Sequence, residues 1–445
     1  MATYQSPEEW KEWSAWLSCA LQSRSRWRLS VILMGILFAT GRRTVSTWLR
    51  AAGVSPDYRE YYYFLQAVGR KARPIAERLL VLVLRLIPLG ERVLLALDDT
   101  PTKRFGPQVE GAGIHHNPTP GPAAQKFLYG HIWVTVSVVV RHALWGPIGL
   151  PLLAMLYVRQ KDFAPVAAFY GWKFATKLQL AVKAVMVFAE MLQKAGKRVW
   201  VVADGAYAKR PVLKPLLQAG LVIVSRLRRD AALRSVPPPL KPGEKRGRGR
   251  PPTYGKKRLS LLKRAGQNRG WQTVTCVLYD KTVTKTVKTF LATYAPAGGL
   301  IRVVLVREDS GCEFFFCTLP EASVVEILEA FADRAAIEQD FHDVKEVWGS
   351  GQQQVRRLWT NIGVFQLNLW MHTLTELWAW NRPARELIDR RDSPWDDPAR
   401  RPSHADRRKA LQRACLTLEF LRLPLSDALR EKISSLLRRL TRLAA

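Results

Sequence analysis

Two apolar runs in this sequence end in acid: 92–97 runs into Asp98 and Asp99, and 198–203 into Asp204. A third carboxylate, Glu338, lies in the run Phe331-Ala-Asp-Arg-Ala-Ala-Ile-Glu-Gln-Asp-Phe-His-Asp-Val-Lys345. At about 100° per residue, Phe331, Arg334, Glu338 and Lys345 fall within an arc of about 60° on one helix face. Taken singly, each acid has an ordinary reading, as a helix cap, a partner of a local arginine, or half of a solvated i,i+4 pair with Arg334. Taken together they form a donor set. Carboxylates are costly to leave unpaired in a partly buried place, and a few of them are what Mg²⁺ takes while it keeps waters and phosphate oxygens. Two such ions about 3.5–4 Å apart activate an attacking oxygen and stabilise a leaving one in phosphodiester chemistry. Arg334 and Lys345 cannot ligate a cation, so phosphates are their expected targets.

The elements that must position these groups follow from periodicity. Residues 1–90 read as helical, with Trp10, Trp13, Leu17 and Leu21 at helical spacing. Within them, 39–50 has the outline of a helix-turn-helix, and equally of a plain basic helical hairpin. Strands are expected at 92–97, 128–140, 148–158, 198–203 and 221–227, with a Gly/Pro loop over 105–122 and helices over 164–195 and 209–219. This order predicts a mixed sheet flanked by helices. Shorter strands follow at 274–279, 282–294, 301–307 and 313–318, and one helical stretch runs from about 321 to 380. A polar segment, 382–408, precedes a last helix over 409–443.

Composition narrows the partner. The chain has 445 residues, and 69 Lys+Arg against 37 Asp+Glu give a net charge of +32, which points to a polyanion. No uncharged apolar run reaches the ~20 residues of a membrane span, and Glu8, Glu9 and Glu12 stand where a signal peptide would be apolar. Cytosolic location is therefore expected. Five cysteines form no CxxC pair, and beyond His115–His116 no second histidine pair sits at metal-site spacing. The stretch 237–258 is rich in proline, lysine and arginine; its Arg246-Gly-Arg248-Gly-Arg250-Pro either lies in a narrow minor groove or binds phosphates generically.

The spacing Tyr-x2-Arg-x3-Glu-x6-Lys is a signature of one branch of the DDE transposases of bacterial insertion sequences. Phe331, Arg334, Glu338 and Lys345 resemble it with Phe in place of Tyr. The run 94–100 (Leu-Leu-Ala-Leu-Asp-Asp-Thr) is similar to that branch's first-Asp motif, 201–204 to its second, and the long gap to Glu338 to its β-rich insertion. The resemblance covers about residues 90–350. It implies an α/β fold, a ribonuclease H-like mixed sheet flanked by helices, with a β-rich insertion and helical ends. The expected organisation is a DNA-binding region over 1–90, catalytic core over 91–227, basic loop and insertion over 228–320, the Glu-bearing second part of the core over 321–381, and a C-terminal helical region over 382–445 that serves dimerisation.

The same resemblance implies cut-and-paste transposition. A homodimer binds inverted-repeat ends of double-stranded DNA, nicks with water and joins the freed 3′-hydroxyl to target DNA, in a bacterial, nucleoid-associated setting. Asp99, Asp204 and Glu338 are the implied catalytic metal ligands for two Mg²⁺ (Mn²⁺ substituting), with Asp98 the alternative to Asp99. Arg334, Lys345, Phe331, Lys103, Arg104, Arg246, Arg248 and Arg250 are the implied DNA contacts, and Phe314 a place for a flipped base if not simply core. The other functional readings are a structure-specific nuclease and a non-catalytic DNA-binding regulator.

Overall fold

A computed structural model describes residues 5–88, 90–116, 126–238, 250–390 and 395–421. Five helices come first: α1 (Glu8–Ser18), α2 (Trp27–Phe38), α3 (Val45–Ala51), α4 (Tyr58–Arg70) and α5 (Ala72–Val83). The helix-turn-helix outline is therefore occupied by α2 and a seven-residue α3, which starts where the Thr44 side chain accepts from the Thr47 N–H.

The sheet begins with β1 (Val93–Lys103), β2 (Gly113–His116), β3 (Phe127–His142) and β4 (Gly146–Tyr157). After α6 (Ala164–Tyr170) and α7 (Lys177–Lys194) come β5 (Val199–Ala203), α8 (Arg210–Gln218) and β6 (Val222–Arg226). β1 pairs antiparallel with β3 and β3 with β4, whereas β5 lies parallel to β1 and β6 parallel to β5. The order β4-β3-β1-β5-β6, with helices on both faces, is consistent with a ribonuclease H-like fold.

The later strands are β7 (Leu233–Arg234), β8 (Arg258–Leu259), β9 (Gln272–Leu278), β10 (Lys281–Tyr294), β11 (Gly299–Glu308) and β12 (Gly311–Cys317), with α9 (Leu261–Ala265) among them. They do not form a separate sheet. β12 pairs with β6, so they extend the same sheet to twelve strands among the described residues. Five helices close the described chain: α10 (Val324–Asp333), α11 (Ala335–Glu346), α12 (Leu358–Ala379), the short α13 (Ala384–Leu387) and α14 (His404–Leu421).

Alternation decides which side each strand residue serves. Val93, Leu95 and Leu97 of β1, with Val199, Val201 and Ala203 of β5, join the core shared with α5, α7 and α12. Leu94 and Ala96, with Trp200 and Val202, pack against α10 and α11 through Ile327, Phe331 and Ile337. α12 is buried almost throughout. Its Gly363 lies against α4, where a Cβ would come within 2.1 Å of Leu65 O, so only glycine allows the helices so close. Among the described residues no helix is long and apolar enough to cross a membrane.

Several expectations are corrected. The stretch from 321 to 380 is three helices, broken after Asp333 and again over residues 347–357. Phe331 therefore lies on α10, Arg334 at the junction and Glu338 and Lys345 on α11, not on one continuous helix. The strand expected at 92–97 runs on through both aspartates to Lys103, and the 105–122 loop contains β2. The 164–195 helix is two, α6 and α7, separated after the left-handed Gly171. The last helix starts at His404, five residues before expectation.

Candidate active site

Asp98 and Asp99 leave opposite faces of β1. The parallel register pairs Leu97 with Ala203, so Asp98 comes level with Asp204 just beyond the end of β5. By alternation both belong to the face covered by α10 and α11, where Glu338 sits. Asp98 Oδ2 accepts from Arg334 Nη1 at 2.9 Å, and Arg334 Nη2 donates to Glu338 Oε1 at 2.6 Å. One guanidinium thus bridges the strand carboxylate and the helix carboxylate. Among the described residues nothing hydrogen-bonds the Asp204 carboxylate.

Burial pushes the Asp98 carboxyl up to about 6, and the charges of Asp99 and Asp204 add to this, against the Asp99 N–H and Arg334. Acids crowded in this way at a partly buried edge favour protonation or a cation. Glu338 is the exposed member, its side chain 58% accessible.

Asp99 faces α7 instead. Its Oδ2 accepts from Lys177 Nζ and its Oδ1 from the Tyr207 hydroxyl, both at 2.6 Å. Burial, followed by Asp99, Asp98 and Asp204, raises the Tyr207 phenol well above its usual range, so it stays a donor. Asp99 is consequently occupied by Lys177 and a phenol, while Asp98, paired with Arg334, faces Asp204 and the Glu338 helix.

Of the signature's other residues, Phe331 lies beside this site against Arg334. Phe331 is 7% exposed and packs on Phe315 with ring centroids 4.8 Å apart. The guanidiniums of Arg226 and Arg334 lie over its ring at 5.2 and 5.5 Å. Lys345, on α11, is half-buried, and desolvation lowers its pKa.

The remaining candidates disperse. Lys103 is exposed at the end of β1, whereas Arg104 is buried and turned inward, donating to His131 Nδ1 at 3.1 Å and to Gly351 O at 3.0 Å. Arg250 is exposed, and Arg246 and Arg248 lie outside the described residues. Phe314 is buried in the main core. Sequence reasoning missed Lys177 and Tyr207, whose Thr176-Lys177 helix start and Asp204-Gly-Ala-Tyr207 turn carried no distinguishing signal.

The site is a cluster of carboxylates on adjacent parallel strands, within β1 and just beyond the end of β5, with a third acid on the covering helix. The sequence profile of the DDE superfamily endonucleases matches residues 17–289. That span exceeds half the chain and includes Asp98, Asp99 and Asp204. The chain belongs to the DDE superfamily endonuclease family. No curated protein matches it.

Proposed function

We propose that the chain is an insertion-sequence DNA transposase that cleaves at inverted-repeat ends and transfers the freed strand into target DNA. The observation that carries this is the shared face: Asp98 and Asp204 level with each other beneath α11, and Arg334 joining Asp98 to Glu338. Family membership supports a DNA substrate and nuclease-type chemistry; the Arg-x3-Glu-x6-Lys spacing supports the narrower reading.

Asp98, Asp204 and Glu338 are proposed as the metal-binding carboxylates, with Asp98 taking the place first expected of Asp99. The donor set fits a hard cation: oxygen ligands only, one of them destabilised as an anion by burial and neighbouring charge. Mg²⁺ held there supplies activation of the attacking oxygen and charge neutralisation at the leaving one. Arg334 holds Asp98 and Glu338 in reach of one another. Arg226, spread over Phe331 at the edge of the site and paired with Glu313, is partly exposed and can turn its guanidinium to the DNA backbone. Asp99 ties the middle of β1 to Lys177 and Tyr207. The net charge of +32 draws in the duplex.

The test is Mg²⁺-dependent cleavage of a duplex carrying the DNA that flanks the gene. Glu338→Gln is expected to abolish cleavage and leave duplex binding intact. Cleavage at the wild-type rate by that variant removes Glu338 from the site.

A further inference from the structure

A second constellation lies on the far side of α11 from Glu338. Asp340 and Asp343 of α11, His372 and Glu376 of α12, and His404 and Arg407 of α14 are all buried together. Three carboxylates there are balanced by one buried guanidinium, since Arg407 Nη1 donates to Glu376 Oε2. At the rim, Arg400 is taken by Asp396 and Asp406, and Arg401 by Asp280. Carboxylates removed from water in excess of their cations call for further positive charge.

The two histidines are arranged to supply lone pairs. His372 Nε2 lies 3.4 Å from Asp340 Oδ1, and Asp340 is itself held by the Ser137 hydroxyl at 2.8 Å. His404 Nδ1 lies 2.5 Å from Glu376 Oε1. Each imidazole therefore has one nitrogen backed by a carboxylate, the outer-shell pattern that orients metal-binding histidines and raises their basicity. The nitrogens left over are His372 Nδ1, which has no partner although the residue is only 3% exposed, and His404 Nε2, which accepts from Trp348 Nε1 at 2.7 Å. Asp343 completes the set: one potential ligand atom from each of Asp343, His372 and His404 lies within 4.8 Å of the others. A cleft of about 480 Å³ reaches all three side chains.

We propose that Asp343, His372 and His404 form a second divalent-cation site of the zinc type, separate from the catalytic carboxylates. Two imidazoles and a carboxylate suit Zn²⁺ rather than Mg²⁺, and the cleft admits water to the fourth position. Tetrahedral bonds of about 2.1 Å put ligand atoms roughly 3.4 Å apart, so binding draws the three groups in by about an ångström. It also turns the two rings, now stacked 4.0 Å apart, and displaces the Trp348 N–H from His404. The ion joins α12 and α14 to the helix that carries Glu338.

The experiment uses the full chain bearing Glu338→Gln, freed of metal by chelator and titrated with Zn²⁺, or with Co²⁺ as the coloured probe. One equivalent is expected to survive gel filtration, with the tetrahedral Co²⁺ absorption band. Adding His372→Ala or Asp343→Asn should weaken binding at least 100-fold, and adding Glu376→Gln 10- to 100-fold. Absence of a stoichiometric ion and of the Co²⁺ band in the folded parent overturns the proposal. So does undiminished binding by a folded His372→Ala chain. Should that variant not fold, the parent's Co²⁺ spectrum decides alone. The readout is metal content, so it stands or falls independently of cleavage.

Discussion

Exchanging Asp98 and Asp99 singly for asparagine separates two carboxylates that adjoin in sequence but face opposite ways. Asp98 shares its face with Asp204 and, through Arg334, with Glu338. Removing a ligand from a two-ion site forfeits several kcal/mol of transition-state stabilisation. At about 1.36 kcal/mol per decade, roughly 4 kcal/mol is a 10³-fold loss of cleavage rate. Asp99 pairs instead with Lys177, whose side chain is 38% exposed, so the pair contributes about 1 kcal/mol or less. An asparagine there still accepts from Tyr207, and the loss of rate should stay near fivefold. Single-turnover cleavage in Mg²⁺ measures both, with thermal melts to normalise for folded protein. Asp98→Asn should fold well, because burial and neighbouring acids already disfavour its anion. A 10³-fold loss in Asp99→Asn beside near-normal cleavage in Asp98→Asn would refute the face argument and return the ligand role to Asp99.

Three further outcomes are expected. Gly69→Ala puts a Cβ within 2.0 Å of Trp359 O at the α4–α12 crossing; overpacking of that kind costs about 1–3 kcal/mol, read as a lower urea midpoint. His131 is fully buried, and burial with Arg104 beside it depresses its pKa to about 3. The unfolded chain takes up that proton below about 6.5, so its stabilisation is complete above that pH and lost as pH falls towards 3; at pH 5 about 2 kcal/mol has gone. Urea melts of His131→Gln should show a loss between pH 7 and 5 smaller by about that amount. Duplex affinity should fall by roughly 10³-fold or more between 50 and 200 mM salt if six or more phosphates are contacted, and deleting residues 245–258 should flatten the slope; a flat slope in the intact chain contradicts binding through the basic surface.

Much of the fold was legible because it is written in short-range periodicity. The runs around 94–97 and 199–203 are apolar on both sides, as strands covered by helices must be, and each appears where expected. The Ser323-x-x-Glu326 capping box starts α10 close to the expected position. The break at Arg334 was not legible. It carries no glycine or proline; the chain merely tightens, with the Arg334 N–H donating to Phe331 O and the Ile337 N–H to Arg334 O. Nor could local pattern show that β12 pairs with β6 across some ninety residues, since nothing near either strand encodes its partner. His372 and His404 escaped the search for metal-type spacing for the same reason. Their closeness belongs to the packing of α12 on α14, not to any interval along the chain.

The aspartate pair shows where reading by pattern stops and reading by register begins. A motif match aligned Asp99 with the family position, and alternation along β1 alone offered either residue, because nothing in one strand says which face is inward. Two additional facts remove the freedom. β5 runs parallel to β1 with Leu97 opposite Ala203, so Asp204 can be level only with Asp98. The even-numbered residues of both strands pack on α10 and α11, so only Asp98 and Asp204 leave the sheet towards Glu338. A carboxylate turned to the other face meets α7, and there the chain has provided Lys177 and Tyr207. The environments of the two aspartates differ accordingly: Asp99 is matched by Lys177 and a phenol, while Asp98, although paired with Arg334, is also crowded by Asp204 and burial. The crowded one is where a cation brings the greater stabilisation, and that difference arises from pairing between strands a hundred residues apart.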